Sequence, residues 1–415
     1  MKKYFYIISL LLISFIYFFL RYYQLPHNFV FRPDQGLHLL ESYEMVQNHK
    51  IRLLGPYVSS KSYDNRNFFI GPYYYYALAS LGIMTNWNPL GMTLLYGVIE
   101  FCFIIFFIFW LKKKFNPLIS LIIFTFLALF PYLISHSRFY WNPHFLLPLG
   151  ILEIYFLDKY IVSKKKFFLF LSAFIWGLAF SFHYAAILWG IVYLYLFIKN
   201  KLFSKFYSYP LVILGFIFGD ILFFISELKH NFYNFRTIIF VYSNAKENSQ
   251  LFGHYFIYPF IIFILFVLAY LFHKHWSNIK IRLLLASFLL LFAILIPPVD
   301  ELSSIPGWRY PDQQFVQKLI LSNTCPQNYN LASTMSGDTQ SFDLRSLLTI
   351  SHCPPNSIEN YPQSQTIFLI APPSRPPETE TVWELSSFRP FKISQQKTIN
   401  DQLIFYRLDK SADNP

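Results

Sequence analysis

The sequence predicts a polytopic α-helical membrane protein of about nine spans, with a small α/β domain outside the membrane at its C-terminal end. Three observations carry this expectation. Only 13% of the 415 residues are charged and 55% are hydrophobic, whereas soluble domains carry roughly 25% charged residues. Lysine clusters follow the apolar runs, as they do in cytoplasmic loops. From Pro298 onward proline, serine and charge rise, and the apolar runs shorten to strand length. The chain divides accordingly into a transmembrane part over 1–299, with a large first outer loop at 21–88, and a soluble extracytoplasmic α/β part over 300–415.

The elements follow in order. Lys2 and Lys3 precede an apolar run, Tyr4–Leu20. Arg21-Tyr22-Tyr23 follows it instead of a small-residue cleavage site, so it reads as an uncleaved first span with its amino terminus inside. Pro89–Leu111 returns to Lys112-Lys113-Lys114. Tyr73–Met84 is apolar but short, and reads as an interfacial or re-entrant helix, since counting it as a span would place the triple lysine outside. Leu118–Ser135 goes out and Phe145–Tyr160 returns to Lys164-Lys165-Lys166. Phe167–Phe182 goes out and Ala185–Ile198 returns to Lys199, Lys201 and Lys205. Tyr209–Ile225 goes out, Tyr255–Phe272 returns to basic residues, and Leu283–Pro297 goes out last. In the tail, Gln314–Leu321 has helical spacing, and Asn330–Ser333, Thr366–Ala371 and Leu403–Leu408 read as strands.

The net charge of +12 invites a nucleic-acid partner. The lysine placement assigns that charge to membrane topology instead, and the expected surroundings are a lipid bilayer. The three cysteines show no metal-ligand spacing. No cofactor is expected. Cys325 and Cys353 both lie in the outer part. Export favours a bridge there over two free thiols, and closing a loop of about 28 residues contributes roughly 3 kcal/mol in the chain-entropy model.

Polar chemistry gathers in the outer loops. The first holds Asp34, Gln35, Arg52, Lys61, Asp64 and Arg66. The second holds His136, Arg138, Trp141, Asn142 and His144, the third turn His183 and Tyr184, and the fourth loop Glu227, Lys229, His230, Asn231 and Arg236. Asp34 follows Pro33 and precedes a helical pattern, so two roles are open to it, helix N-cap or catalytic base. Arg138 with Trp141-Asn142-Pro143 suits either interfacial anchoring or substrate contact. His183 is either a polar helix tip or a substrate contact. Lys229 and His230 suit a phosphate that Glu227 helps to orient, or a solvated loop. Glu100, Glu153, Asp158 and Asp220 fall in or near spans, where acids are costly. Of these, Asp220 follows Gly219 in the outer half of its span, so two readings are open to it, a scattered acid of the span or one that faces the expected cavity.

Taken together, PDQG, the GP…GPYYYY helix, SHSRFYWNPHFLLP, GLAFSFHY and ELKHNF cover roughly Phe31–Asn234. In their order and shared outer placement the chain resembles the GT-C class of integral-membrane glycosyltransferases, in the bacterial branch related to protein O-mannosyltransferases and lipid A aminoarabinose transferases. The resemblance implies a GT-C-like fold and transfer from a polyprenyl-phosphate sugar. Asp34 would be the general base, and Gln35, Arg66, Tyr74, Arg138, Trp141, Asn142, His183, Glu227, Lys229 and His230 would contact substrate. The chain departs from the family in having Asp34-Gln35 where many relatives have Asp-Glu. It has Ile70-Gly71-Pro72 where many have a lysine before the proline, and His38 where others have an acid. The phosphate cation then falls to Arg66, Arg138 or Lys229. Two other classes stay open, a transporter or flippase of lipid-linked sugars and a polysaccharide polymerase or ligase. Polar clustering at one face and the early position of the large loop favour the transferase over both.

Overall fold

The computed structural model describes residues 3–57, 67–199, 208–244, 257–296, 307–322, 325–335 and 338–411. It is mostly helical with one small sheet. The helices are α1 (Lys3–Tyr22), α2 (Leu25–Asn28), α3 (Pro33–Gln47), α4 (Tyr73–Met84), α5 (Pro89–Lys114), α6 (Pro117–Leu129), α7 (Pro131–His136), α8 (Leu146–Ser163) and α9 (Lys166–Phe182). They continue with α10 (Gly190–Lys199), α11 (Ser208–Gly219), α12 (Ile221–Lys229), α13 (Tyr233–Asn244), α14 (Tyr258–Lys274) and α15 (Ile279–Leu295). The C-terminal domain adds α16 (Tyr310–Leu321), β1 (Tyr329–Ser333), α17 (Phe342–Ile350), β2 (Thr366–Ala371), α18 (Trp383–Ser386), β3 (Phe391–Asn400) and β4 (Leu403–Lys410).

The expectation of nine spans is corrected. Among the described residues two helices are long and apolar enough to cross a membrane, Tyr4–Asn28 and Pro89–Lys114, and a third counts if the bent pair α11 and α12 is one span. The other apolar runs are interrupted or short. Pro131 starts a new helix, so the run expected over Leu118–Ser135 splits into α6 and α7; a proline cannot extend the preceding helix. The run expected over Ala185–Ile198 begins as a 3-10 turn over Tyr184–Trp189. At 1.5 Å per residue, helices of 13–17 residues reach about 20–25 Å, short of the roughly 30 Å hydrocarbon thickness.

Charge is nevertheless polarised along the helical part. Lys114, ending α5, donates from Nζ to Asp158 Oδ1 near the end of α8 at 2.6 Å. Phe115 lies 5.5 Å from His273, near the end of α14. The lysine-rich ends therefore meet at one pole. The opposite pole carries the start of α8, the end of α9 and the first loop, where Asn142 Nδ2 donates to the Phe182 carbonyl at 2.8 Å. One core joins α1, α5, α6, α14 and α15. A second joins α3, α4, the segment 139–146 and the end of α9, and takes in Tyr310 of the C-terminal domain.

The C-terminal sheet has the order β1-β2-β4-β3, with β1 and β2 parallel and the other pairs antiparallel. Alternate residues of β2 enter opposite cores. Phe368 and Ile370 pack with α16 and α17 residues, while Ile367 and Leu369 pack with Leu385 of α18, as the period of two demands. Both faces of β1 and β2 are buried. The edge strand β3 and helix α17 escape the hydropathy reading. The strand is almost wholly exposed and polar, and the helix is short and holds Asp343 and Arg345. Cys325 and Cys353 form a disulfide with Cα atoms 5.5 Å apart.

This domain is fastened to the first loop by its backbone. A Cβ at Gly36 would clash with the Phe342 carbonyl oxygen and lie 2.6 Å from Asp343 Cα, so α3 and the start of α17 touch main chain to main chain. Gln313 Nε2 donates to the Phe31 carbonyl at 2.7 Å and to Asp343 Oδ2 at 2.9 Å. Trp308 Nε1 also donates to Asp343 Oδ2, at 2.5 Å. The Tyr310 N–H donates to the Phe29 carbonyl at 2.9 Å.

Two tests follow from this seam. Gly36→Ala should weaken the docking by about 1–3 kcal/mol, the cost of overpacking a backbone contact, and should show as easier proteolytic release of the C-terminal domain. Burial raises the Asp343 carboxyl to about 7. A folded-state value above the unfolded one means that the native state holds the proton longer. The stabilisation is full below about pH 4, fades between about pH 4 and 7, and is gone above. Thermal unfolding against pH should show that decline in the native chain and lose it in Asp343→Asn.

Candidate functional site

Asp34 is the second residue of α3. Pro33 occupies the first turn, where its missing N–H costs nothing. The N-cap reading is corrected. Arg32 holds the cap position, and its N–H is taken by Gln35 Oε1 at 2.8 Å. The Asp34 carboxylate accepts no hydrogen bond from a described residue and is exposed. Desolvation first, and the charge of Asp338 second, raise its pKa, while Arg32 lowers it. Asp338 sits on the facing edge of the C-terminal domain and accepts the Gln340 and Phe342 N–H groups at 2.9 and 2.8 Å. Pro33, Asp338 and Asp343 line one narrow crevice along the seam.

An aromatic wall backs the carboxylate. The His38 ring, one turn on from Asp34, lies 5.5 Å from the Tyr74 ring and 5.8 Å from Trp141. His38 Nδ1 and the Tyr74 and Tyr140 hydroxyls are buried without a hydrogen-bond partner among the described residues. Burial lowers His38 to about 3, so the ring is neutral. The Asp34 charge acts on Tyr74, as does the neighbouring Tyr140. Arg138, half-buried on the same loop as Tyr140, is held down by its desolvation. It has no protein partner among the described residues.

Several expected contacts turn out to be structural. Gln35 is buried, and its Nε2 donates to the Tyr140 carbonyl at 2.9 Å, locking α3 to the second loop. Asn142 is engaged by Phe182. His183 Nδ1 accepts the Ala185 N–H at 3.1 Å, which requires that nitrogen to be unprotonated and unable to act as a cation. Glu227 does not orient Lys229 and His230. It is buried, and it accepts Asn234 Nδ2 at 2.7 Å and the Phe235 N–H at 3.1 Å, satisfying donors at the start of α13. Asn234 Oδ1 in turn takes the Phe69 N–H at 2.8 Å, tying down the returning limb of the first loop. Lys61, Asp64 and Arg66 lie outside the described residues.

Lys229 and His230 are exposed and line a cavity of about 390 Å³ with Leu54, Ser226, Asn231, Tyr233 and Asn234. No α3 residue lines it, so the carboxylate and this cationic cavity are two separate groups. His38, Tyr140 and Asp338 were not singled out as site residues by the sequence. His38 had one usable signal, its i+4 spacing from Asp34 on one helix face. Asp338 had none, because its position depends on domain docking.

Removing the Glu227 acceptor should cost stability and removing Lys229 should not. Glu227→Ala leaves several buried donors unpaired and should lower unfolding stability by about 2–4 kcal/mol. Lys229→Ala, at an exposed position, should change it by less than about 0.5 kcal/mol. Thermal denaturation of the two purified variants compares them directly.

Comparison with known proteins finds no matching family model, no matching curated protein and no matching solved structure.

Proposed function

We propose that the chain is a membrane glycosyltransferase that moves a sugar from a polyprenyl-phosphate donor to an acceptor hydroxyl or amine, with inversion, at the outer face of a bacterial cytoplasmic membrane. One observation carries the reading. Asp34 presents from the start of α3 an exposed carboxylate that accepts no hydrogen bond from a described residue, with its pKa raised, beside an aromatic wall of His38, Tyr74 and Trp141. A base works best when its pKa approaches the working pH, and aromatic faces suit the C–H faces of a sugar.

In this scheme the acceptor proton passes to an Asp34 oxygen as the acceptor atom bonds to the anomeric carbon. The bond from that carbon to the phosphate oxygen breaks on the far side, and the electron pair leaves with the phosphate. Arg138, on the loop that Gln35 ties to α3 and without a protein partner among the described residues, is a candidate to receive that anion. Lys229 and His230 offer a second anion site in their own cavity. The Cys325–Cys353 bridge suits an oxidising compartment, and the lysine-rich pole suits the cytoplasmic side.

The transporter reading keeps one supporting observation, the 86° break between α11 and α12 at Asp220, since transporters bind at interrupted helices. Transfer assayed with a radiolabelled polyprenyl-phosphate sugar separates the two. Asp34→Asn should insert normally, retain donor binding and lose about 10²–10⁴-fold in transfer rate. Full activity in a well-inserted Asp34→Asn protein removes Asp34 from the mechanism. Sugar-lipid movement across proteoliposomes without any transfer favours the transporter.

A further inference from the structure

Of the four acids in or near the expected spans, Glu100, Glu153, Asp158 and Asp220, three have partners. Asp158 takes Lys114. Glu100 accepts the Tyr17 hydroxyl at 3.1 Å. Glu153 accepts the Ser172 and Tyr193 hydroxyls at 2.9 and 2.5 Å. Asp220 differs. It is fully buried, and neither carboxylate oxygen has a hydrogen-bond partner of normal geometry among the described residues.

Its surroundings are built closely around it. Asp220 occupies the break between α11 and α12, where the chain turns by 86°. On one side α11 packs backbone-to-backbone on α9. A Cβ at Gly219 would lie 2.7 Å from the Leu178 N and 2.9 Å from Gly177 Cα. On the other side comes the start of α4, where a Cβ at Gly71 would overlap Ser181 Oγ and stand 2.6 and 2.7 Å from the two Asp220 oxygens. Ser181 Oγ lies alongside, close enough to act on the carboxylate, and accepts the Tyr73 N–H at 3.3 Å. From α4 the titratable neighbour is the Tyr73 phenol. From α9 the polar neighbour is Ser181. On α12 the next acid, Glu227, is turned to α13. No Lys, Arg or His pairs with Asp220 among the described residues.

A carboxylate buried without a charged partner is not kept as a bare charge. Gly71 lies directly against both carboxylate oxygens, and a divalent ion would leave one positive charge uncompensated. We propose that Asp220, with Ser181 Oγ, is the binding site of a single monovalent cation, a proton or Na⁺, held at the junction of α4, α9, α11 and α12. The site stands independently of the glycosyltransferase reading. Its occupancy bears on the first loop, because Gly71 rests on the carboxylate and the same limb is tied at Phe69 to Asn234.

The test uses the full-length protein in nanodiscs, with Tm read at constant ionic strength in NaCl and in N-methylglucamine chloride, from about pH 5 to about pH 8. If Na⁺ is the occupant, NaCl raises the native Tm by roughly 3 °C or more, Ser181→Ala weakens the response and Asp220→Asn abolishes it. If a proton is the occupant, Na⁺ has no effect, acid raises the native Tm relative to Asp220→Asn, and the Asp220→Asn variant is the more stable chain at the alkaline end. Identical responses of native and Asp220→Asn protein to both Na⁺ and pH overturn the site. Should Asp220→Asn fail to fold, dicyclohexylcarbodiimide labelling of the native protein decides. Labelling of Asp220 suppressed by Na⁺ or by raised pH supports the site, and no label, or a label indifferent to both, overturns it.

Discussion

The main-chain contact between Gly36 and the start of α17 is the constraint on which the candidate site depends. Only a residue without a side chain lets the Phe342 carbonyl come that close to α3. The contact brings Asp338 to Asp34, and Asp343 beside it gathers the Trp308 and Gln313 donors of its own domain. Gln313 continues the chain of bonds to the Phe31 carbonyl, three residues before Asp34. The position of Asp34 is thus fixed from both sides, by Gln35 on Tyr140 within the helical part and by the C-terminal domain across the seam.

Polar satisfaction separates scaffold from chemistry here. Gln35, Asn142, Glu227 and Asn234 direct their hydrogen bonds to backbone groups of neighbouring segments. They are walls and ties. Asp34 and Arg138 keep their charge without protein partners among the described residues, and Tyr74 and Tyr140 keep buried hydroxyls in reserve. Buried polar groups left unpaired cost free energy, and under the proposed transferase reading a ligand's hydroxyls would complete the network beside the exposed carboxylate. Asp220 carries the same cost among closely packed main-chain segments.

The sequence by itself determined the composition-level facts. These are a helical, lipid-compatible N-terminal part, a C-terminal domain with strands at Thr366–Ala371 and near Leu403, and a polar first loop opening on Pro33-Asp34. Each is local, since apolar content, period and a proline's fixed backbone all act within a few residues. Tertiary structure decided the rest. Apolar content did not reveal that Asp220 interrupts an expected span, because that break lies where α11 packs on α9 and Asp220 meets Gly71 at the start of α4; the break at Pro131 is local, and apolar content alone passes over it. Glu227 beside Lys229 and His230 looked like a phosphate-binding group, yet its side chain turns inward to α13, seven and eight residues on. Asp338 reaches Asp34 across some three hundred residues of chain, and only the docking of one domain on the other, through a glycine with no side chain to obstruct it, makes them neighbours.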